Sequence, residues 1–344
     1  MKNLKVLITT VGGTTSPDII RSLKDNGDRD IWLLGTDPIE YASGRYFVDE
    51  FQITTASFDN EDKFISEIMQ LADQYNIDAI IPCGNEDNLA LANNKEKFKC
   101  PIMVGSYLSL CKAYDKGDVY KRLKYITPEY APKFKIVNNI REFDVACSFL
   151  GFPEKNVVIK PRFGRGGRGV YILTDIPDLD AMLSSKPSHV LSQKYFRDLL
   201  YAQDIFEDLI VMEELHPPYH SSYTLVQKEE VCTLDHIREW GSASQTFRGV
   251  VNYDKDIENF TKILAREYNL EYTFNIELAT NSQGKLVLFD LNPRIGASSG
   301  IDKDLGVNYP YLSLKLLLGE NIELIYKNIL NRRFVRYLDY VWSD

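Results

Sequence analysis

A lysine followed by a glycine-rich loop between two short apolar runs constrains the fold of this chain more than any other feature. In VVIKPRFGRGGRGV, residues 157–170, the β-branched run at 157–159 predicts a buried strand that delivers Lys160. The loop then contains Gly164, Gly166, Gly167 and Gly169 before VYIL predicts a second strand. Glycine allows positive φ and a close approach to a ligand, and consecutive backbone N–H groups can bind an anion. The sequence therefore predicts a strand–loop–strand unit that covers a polyphosphate.

The arginines of this loop support the phosphate interpretation. Arg162, Arg165 and Arg168 supply charged donors suited to phosphate. The dinucleotide fingerprint G-x-G-x-x-G lies between a strand and a helix, whereas here the spacing is G-x-G-G-x-G and a strand follows. In the kinase-type loop the lysine comes after the glycines, on a later strand. An Arg/Gly-rich surface hairpin without a ligand is the alternative.

Strands and helices alternate over about residues 1–105, which predicts a parallel, doubly wound sheet. The predicted strands are 4–10, 31–35, 79–82 and 102–104, and the predicted helices are 16–25, 62–75 and one after 83–87. Ligands of such sheets bind beyond the carboxyl ends of the strands. Gly12, Asp37 and the turn at 84–87 are therefore either substrate contacts or ordinary turn residues. The Gly12-Gly13 turn lacks the third glycine of a dinucleotide loop, which disfavours a nicotinamide-dependent dehydrogenase.

Composition excludes several classes of protein. The 344 residues carry a net charge of −9, which argues against general binding of nucleic acid or anionic membrane. The five cysteines are scattered without a C-x-x-C pair, which argues against zinc and for reduced thiols. The apolar run at the N-terminus is too short for a signal peptide, and no segment approaches the length of a membrane span. We therefore expect a soluble, cytoplasmic protein.

A second stretch, YTFNIELATNSQGKLVLFDLNPRIGASSG at 272–300, predicts a hairpin with polar groups on one face. Two alternating strands flank the four-residue loop 281–284. That loop length places Ile276 opposite Phe289, with Phe274, Leu278, Val287 and Leu291 on the same apolar face. The other face then carries Asn275, Glu277, Asp290 and Asn292.

Oxygen ligands on this polar face suit a hard cation, and with phosphates present that cation is Mg²⁺. The face lacks the His and Cys that softer metals prefer. Arg294 continues the same alternation beyond Asn292, where it could stabilise charge on a transferring phosphoryl group. A solvent-exposed polar face is the alternative interpretation.

Together these motifs resemble the ATP-grasp superfamily, in the branch of carbamoyl phosphate synthetase, biotin carboxylase and related carboxylate–amine ligases. The resemblance rests on the glycine loop at 157–170, VMEEL at 211–215, FDLNPR at 289–294 and LGVNYP at 305–310, in the family's order over about residues 1–320. It implies an α/β (α+β) fold in which a doubly wound pre-ATP-grasp domain precedes an ATP-grasp fold with a small lid. The implied divisions are 1–108 for the first domain, 109–320 for the ATP-grasp domain with its lid at about 125–190, and 321–344 for a helical C-terminal tail.

The resemblance also implies roles for individual residues. Lys160 would contact the α- and β-phosphates of ATP, Lys116 would be a further phosphate-side lysine, and Arg294 would steady an acyl phosphate. The loop residues Arg165, Gly166, Gly167 and Gly169 would close over the phosphates. Glu213 or Glu214 and the backbone of Leu215 would hold adenine. Glu277, Asp290 and Asn292 would bind Mg²⁺, with Mn²⁺ as the alternative metal. The acceptor would contact the N-terminal domain, Arg238, 242–244 and 297–300.

Two features depart from the family pattern. The segment PYHSSYTLV at 218–226 has no glutamate where the family often binds ribose. The metal carboxylate before asparagine is Asp290 rather than the commoner glutamate.

The resemblance implies an ATP-dependent ligase that joins a small carboxylate to an amine or similar nucleophile through an acyl phosphate and releases ADP and phosphate. A non-catalytic ATP-binding or sensor protein on the same fold is the alternative. The expected partners are small-molecule substrates, with no nucleic acid and no membrane, and a homodimer is compatible with the sequence.

Overall fold

The described part of the chain divides into two compact units. The structure is a computed structural model that describes residues 3–13, 16–164, 166–175, 189–203, 205–241, 246–323, 331–337 and 339–342. Unit 1 comprises 1–113, 220–276 and 292–344, and unit 2 comprises 114–219 and 277–291. The predicted domain boundaries at 108 and 320 stay predictions.

A four-stranded parallel sheet of order β3-β2-β1-β4 forms the N-terminal part of unit 1. Its strands are β1 (Leu4–Thr9), β2 (Ile31–Asp37), β3 (Glu50–Ile53) and β4 (Ala79–Pro82). The accompanying helices are α1 (Ser16–Lys24), α2 (Glu61–Tyr75), α3 (Asn85–Asn93) and α4 (Tyr107–Tyr114). Val6, Ile8, Leu33 and Ile81 are completely buried, as expected for strands covered on both faces. The predicted doubly wound parallel sheet is confirmed.

Two details of this sheet differ from the prediction. The strand expected at 102–104 is only an isolated bridge between Ile80 and Ile102. Val104 N donates to Ile102 O at 2.8 Å, and this tight turn takes the chain out of the ladder. The strand β3 was not predicted because its side chains are mostly half-buried and only Phe51 and Ile53 are apolar.

Unit 2 contains a five-stranded sheet of order β5-β9-β6-β7-β8. Its strands are β5 (Phe134–Val137), β6 (Val157–Pro161), β7 (Tyr171–Thr174), β8 (Val190–Ser192) and β9 (Leu209–Glu213). Its helices are α5 (Lys116–Ile126), α6 (Ile140–Leu150) and α7 (Gln193–Tyr201). The strands predicted on either side of the glycine loop are confirmed as β6 and β7, which pair antiparallel. The helix predicted at 176–183 lies outside the described residues.

A core of buried side chains fixes β6 and the helix behind it. Val157, Ile159 and Leu173 pack in one cluster with Phe143 of α6 and Val211 of β9. Because β-strand side chains alternate, burial of Val157 and Ile159 sets which face of β6 points into this cluster. This packing holds the strand that delivers Lys160.

The remaining sheet has the order β14-β13-β10-β11-β12-β15. Its strands are β10 (His216–Gln227), β11 (Glu230–Gly241), β12 (Thr246–Asn252), β13 (Thr273–Thr280), β14 (Leu286–Asn292) and β15 (Arg332–Val335). Two helices lie between these strands in the sequence: α8 (Lys255–Glu267) follows β12, and α9 (Tyr309–Leu317) lies between β14 and β15. The hairpin predicted around 228–230 is confirmed, since β10 and β11 are neighbours joined through Lys228, which adopts φ 58°.

The predicted helical tail at 321–344 is wrong at Arg332–Val335, which forms β15 and pairs antiparallel with β12. Phe334 lies opposite Gly249, and a Cβ added to Gly249 would stand 3.1 Å from the Phe334 ring. The ring therefore uses the space that glycine leaves. Residues 324–330 lie outside the described part of the chain.

The loop between β13 and β14 is one residue shorter than predicted. Asn281 N donates to Lys285 O at 2.9 Å, and Gly284 N donates to Asn281 O at 2.9 Å. Gly284 adopts φ 77°, so the turn carries an extra left-handed residue of the bulge type. The predicted pairing of 280 with 285 is therefore wrong at the turn. Phe274, Ile276, Leu278, Val287 and Leu291 of the predicted apolar face are buried, but Phe289 of that face is only half-buried. Asn275, Ala279 and Leu288 of the opposite face are buried as well, so burial does not follow the predicted division into an apolar and a polar face.

None of the helices within the described residues is long and apolar enough to cross a membrane.

Candidate active site

Lys160 lies at the centre of the candidate site in unit 2. It is the fourth residue of β6 and is 5% exposed. Its Nζ donates to the Tyr120 hydroxyl at 2.7 Å and to the Phe289 carbonyl oxygen at 2.8 Å. β6, α5 and β14 thus meet at one ammonium group.

Burial changes the protonation of this lysine. Desolvation lowers the pKa of Lys160 from 10.5 to about 7. The negative charge of Asp290 acts in the opposite direction, and the positive charge of Lys116 lowers the pKa further. An added anion would favour the protonated form by the same electrostatic logic. The group is therefore suited to gain a full positive charge when phosphate arrives.

Lys116 bridges the glycine loop and the predicted metal carboxylate. Its Nζ lies 3.0 Å from Asp290 Oδ1 and donates to the Gly164 carbonyl oxygen at 2.8 Å. Lys116 is the first residue of α5, which begins where the Asp115 side chain accepts from Asp118 N at 3.1 Å. The two lysines implied by the resemblance and Asp290 are thus gathered in one unit.

The glycine loop has the backbone that its sequence predicts. Gly166, Gly167 and Gly169 adopt φ of 60°, 71° and 72°. At Gly169 the lack of a side chain also matters, because an added Cβ would stand 3.0 Å from Pro161 Cγ. Arg165 lies outside the described residues.

Arg162 does not serve as the predicted phosphate donor. Its guanidinium binds Asp115 with two hydrogen bonds, of 2.7 and 2.6 Å, and Asp208 with a third of 2.7 Å. Both carboxylates raise the pKa of Arg162 above its ordinary value, with the Asp115 hydrogen bond as the largest cause. The guanidinium of Arg162 thus forms its hydrogen bonds with two carboxylates. Through them the end of β6 is connected to Asp115, at the start of α5, and to Asp208, just before β9.

The acidic pair at the end of β9 has partners in unit 2. Glu213 Oε1 accepts from Lys133 N at 2.8 Å, and Glu213 N donates to Lys133 O at 3.0 Å. Glu214 Oε2 accepts from Asn156 Nδ2 at 3.1 Å. These bonds connect the end of β9 to Lys133 and Asn156. The predicted adenine contact at Glu213 or Glu214 and Leu215 stays a prediction.

The predicted metal ligands come from β13 and β14. Glu277 and Asp290 belong to unit 2, and Asn292 is the first residue of the next segment of unit 1. Across the described ranges, no group of three or more His, Cys, Asp or Glu side chains is placed to hold a metal ion. Two carboxylates and one amide fit a metal that takes its other ligands from phosphate and water, which is how Mg²⁺ usually binds. The ligand set itself stays a prediction.

Arg294 lies in unit 1, where its Nε donates to the Asn85 side-chain oxygen and its Nη1 donates to Ile295 O at 2.7 Å. Asn85 begins α3 at the carboxyl end of β4. Asn85 belongs to the turn at 84–87, which the sequence analysis named as a possible substrate contact, and this turn therefore contacts Arg294.

The loop after Arg294 is held by close packing. A Cβ at Gly296 would lie 2.2 Å from the Tyr223 ring and 2.9 Å from the Asn275 amide oxygen. Further along, the buried Asp302 lies 2.8 Å from His236 Nε2. Burial raises the pKa of Asp302, and His236 opposes that shift.

The structure describes some of the residues that were predicted to contact the acceptor substrate. Arg238 lies in β11, and its Nε donates to Thr246 Oγ1 at 3.1 Å. Ser242 to Ser244 lie outside the described residues. Ser298 and Ser299 of the 297–300 segment are buried.

The carboxyl ends of the parallel strands are occupied by side-chain hydrogen bonds. Asp37 accepts from Gly12 N at 2.6 Å and from Ile39 N at 3.0 Å. Asp87 accepts from Ser57 Oγ at 2.6 Å and from Thr10 Oγ1. Because the Asp37 carboxylate already accepts a hydrogen bond from Gly12 N, Gly12 is best interpreted as an ordinary turn residue. This geometry does not favour a dinucleotide site at the turn.

Sequence reasoning missed Tyr120 and the acids that bind Arg162. Tyr120 is buried, although it lies on a helix that is rich in lysine. Its position four residues after Lys116 places both on one face of α5, and this spacing was the available signal. Nothing in the local sequence links Asp115 or Asp208 to Arg162, since those contacts span 47 and 46 residues.

One protein-family model matches the chain. Residues 205–335 match a family described as ATP-grasp in the biosynthetic pathway with Ter operon. A comparison with curated proteins gave no match.

Several solved structures share the fold. N5-carboxyaminoimidazole synthetase from Staphylococcus aureus, solved with ADP, has a TM-score of 0.66 at 17% identity, covering 93% of this chain and 78% of that one. L-amino acid ligase from Bacillus licheniformis has a TM-score of 0.65 at 13% identity, covering 92% and 74%. The biotin carboxylase domain of Hydrogenobacter thermophilus 2-oxoglutarate carboxylase, solved with MgADP and bicarbonate, has a TM-score of 0.67 at 15% identity, covering 96% and 73%.

Proposed function

From the ATP-grasp fold of this chain and its resemblance to that superfamily, we propose that it is an ATP-dependent ligase that joins a small carboxylate to an amine or similar nucleophile. The observation that carries the proposal is the cluster in unit 2. There Lys160, Lys116 and Asp290 lie around the start of a glycine loop with positive φ angles. Such a cluster combines lysine amino groups, backbone donors and a carboxylate, which suit phosphoryl transfer.

The proposed reaction has two balanced steps. A carboxylate oxygen of the substrate attacks the γ-phosphorus of ATP, the bond to the β-phosphate oxygen breaks, and ADP leaves. The nucleophile then attacks the carbonyl carbon of the acyl phosphate, the bond from that carbon to the phosphate oxygen breaks, and phosphate leaves. A neutral amine loses one proton to solution on the way to the amide. Both steps gain most from positioning and charge stabilisation.

The chain's own residues divide this work. Lys160 would place a buried ammonium against the α/β-phosphates, and Lys116 would move from Asp290 and Gly164 toward phosphate. Glu277, Asp290 and Asn292 would hold Mg²⁺, which when bound neutralises phosphate charge. In unit 1, Arg294 would steady the acyl phosphate, and Arg238 would contact the acceptor.

A non-catalytic ATP-binding protein is the second candidate. Its support is the missing glutamate at 218–226 together with the engagement of Glu213 by Lys133 and of Glu214 by Asn156. A lower affinity for the adenosine part of ATP would suit a sensor that responds only to high concentrations of ATP. Binding of ATP without turnover in the presence of every substrate pool would favour this candidate.

The test is release of nucleotide products from Mg-ATP with pooled carboxylic acids and pooled amines, following ADP and AMP separately. The proposal predicts ADP and phosphate in equal amounts, only when one acid pool and one amine pool are both present. Release of AMP would indicate adenylation and contradict the proposed chemistry. Subdividing the active pools then identifies the substrate pair.

A further inference from the structure

We propose that Tyr120 is the positioning residue for Lys160, holding the ammonium group so that one of its N–H bonds is directed to a nucleotide phosphate. The inference rests on the proposed function, because it assumes that Lys160 meets phosphate. It concerns a residue that neither the sequence motifs nor the resemblance implies.

Three polar atoms form a closed arrangement around this residue. The Tyr120 hydroxyl donates to the Phe289 carbonyl oxygen at 2.5 Å and accepts from Lys160 Nζ at 2.7 Å. Lys160 Nζ donates to the same carbonyl oxygen at 2.8 Å. Each of the three atoms therefore contacts the other two, and the position of the ammonium is fixed relative to both α5 and β14.

The count of donors explains why this arrangement suits a ligand. A lysine ammonium has three N–H donors. Among the described residues, hydrogen bonds of Lys160 go to Tyr120 and Phe289 and account for two of them. The third donor is the one that an incoming phosphate oxygen would accept from.

The buried hydroxyl is satisfied by its hydrogen bonds with Phe289 and Lys160. Tyr120 is 1% exposed, and its ring packs edge-on against Phe134 with centroids 5.1 Å apart. A phenylalanine would fill the same space without a buried polar atom that must be satisfied. Burial also raises the pKa of Tyr120 well above its ordinary value, so the hydroxyl keeps its proton and stays a donor to Phe289.

The aromatic ring of Tyr120 also contacts the Lys160 ammonium group. Lys160 Nζ lies 5.2 Å from the Tyr120 ring centroid, within the range of a cation–π contact. A Tyr120→Phe substitution keeps the ring and removes only the hydroxyl. It therefore separates the positioning role from packing.

A double-mutant cycle tests the proposal on the full chain, with the Kd of ADP measured by titration calorimetry in the presence of Mg²⁺. Tyr120→Phe should weaken ADP binding about tenfold, the size expected for losing a hydrogen bond to a charged group. In the Lys160→Met background the same substitution should change the Kd by less than about twofold, because the group that it positions is gone. Tyr125→Phe, on the same helix and 82% exposed, is the matched control and should leave the Kd unchanged.

Equal losses in both backgrounds would overturn the proposal, because the hydroxyl would then act on the fold and not through Lys160. No loss in the wild-type background would overturn it as well. Failure of the wild-type chain to bind ADP at all would instead contradict the proposed function, and this inference with it.

A measurement on the wild-type protein, in which Lys160→Met serves only to assign the signal, adds a test that needs no Tyr120 variant. With ¹⁵Nζ-lysine labelling, one ammonium signal should be protected from exchange, should disappear in Lys160→Met and should shift on addition of ADP. A rapidly exchanging Lys160 signal would overturn the proposal.

Discussion

At the scale of the residue, the most informative group is the buried ammonium of Lys160. It is held by a hydroxyl and a carbonyl oxygen, both neutral, while the charges of Asp290 and Lys116 shift its pKa in opposite directions. Neutral partners do not fully replace water, which is why burial dominates and the pKa falls to about 7.

This pKa predicts that nucleotide binding is coupled to proton uptake. Phosphate favours the charged lysine, so binding must add a proton wherever free Lys160 is neutral, which is above pH 7. The Kd of ADP should therefore rise by up to about tenfold per pH unit above pH 7, and calorimetry in buffers of different ionisation enthalpy should report proton uptake. Lys160→Met should lose this dependence, and an unchanged pH profile in that variant would refute the assignment.

The same group has an effect on stability, with a definite sign. The folded pKa lies below the unfolded value of 10.5, so between about pH 7 and 10.5 the unfolded chain binds more protons. Stability attributable to Lys160 therefore rises with pH across that window and is lowest below pH 7. Denaturant unfolding of wild type and Lys160→Met at pH 6.5 and 9 measures the difference. A larger advantage of the variant at pH 9 than at pH 6.5 would contradict the sign.

The substitution Asp290→Asn tests the proposed role of Asp290 as a ligand of Mg²⁺. The substitution keeps the shape of the side chain and removes the charge that faces Lys116 at 3.0 Å. We expect turnover of ATP to fall below detection while the thermal unfolding midpoint changes little. Asp304→Asn, at a side chain that is 88% exposed, serves as control. Unchanged turnover in Asp290→Asn would rule out the metal assignment.

At the scale of the element, the sequence predicts what is determined locally. The β-branched run of β6 and the loop glycines each encode their own backbone, and both are found where predicted. The strands β13 and β14 are also found, but the burial of their side chains does not follow the predicted alternation. Contacts between distant segments are not encoded in this way. Arg162 was predicted to meet phosphate because the residue type suits it, yet Asp115 and Asp208 bind it from far away in the sequence.

Turn geometry accounts for the error in the hairpin. A four-residue loop and a three-residue loop with a left-handed glycine differ by a single residue, and both are compatible with the sequence at 281–284. The prediction for the tail failed because β15 pairs with β12, a strand far away in the sequence, and Phe334 lies opposite Gly249 in that pairing.

Gly296 gives a prediction for the loop that carries Arg294. A methyl group there would meet the Tyr223 ring and the Asn275 amide, and neither can withdraw freely because both side chains are buried. Gly296→Ala should lower the free energy of unfolding by about 1–3 kcal/mol, measured with denaturant. Gly105→Ala is the control, since its added Cβ would have no neighbour closer than 3.8 Å. Equal stability of the two variants would show that the loop adapts.

At the scale of the whole molecule, the order of motifs along the chain indicated the fold although no single motif was decisive. The glycine loop and the β13–β14 hairpin are each compatible with other proteins. Their order after an N-terminal parallel sheet is that of the ATP-grasp superfamily, and the match to an ATP-grasp family model over 205–335 and the folds shared with solved structures support this resemblance. Substrate choice depends on positions that the motifs do not determine, and the sequence does not predict it.

Nucleotide should stabilise the protein as a whole. A ligand that binds only the folded state adds about 2.7 kcal/mol when present at 100 times its Kd. Mg-ADP should therefore raise the thermal unfolding midpoint of the wild-type protein, and it should have a smaller effect on Lys160→Met. Equal shifts in the two proteins would place the nucleotide away from Lys160.

The most direct test of the central claim is to trap the activated carboxylate with hydroxylamine in place of the amine. With Mg-ATP and the pool of carboxylic acids that supports turnover, we expect one hydroxamate for each ADP and phosphate released, and none in Asp290→Asn. Hydroxamate formed together with AMP and pyrophosphate, or ADP released without any hydroxamate, would contradict an acyl-phosphate ligase.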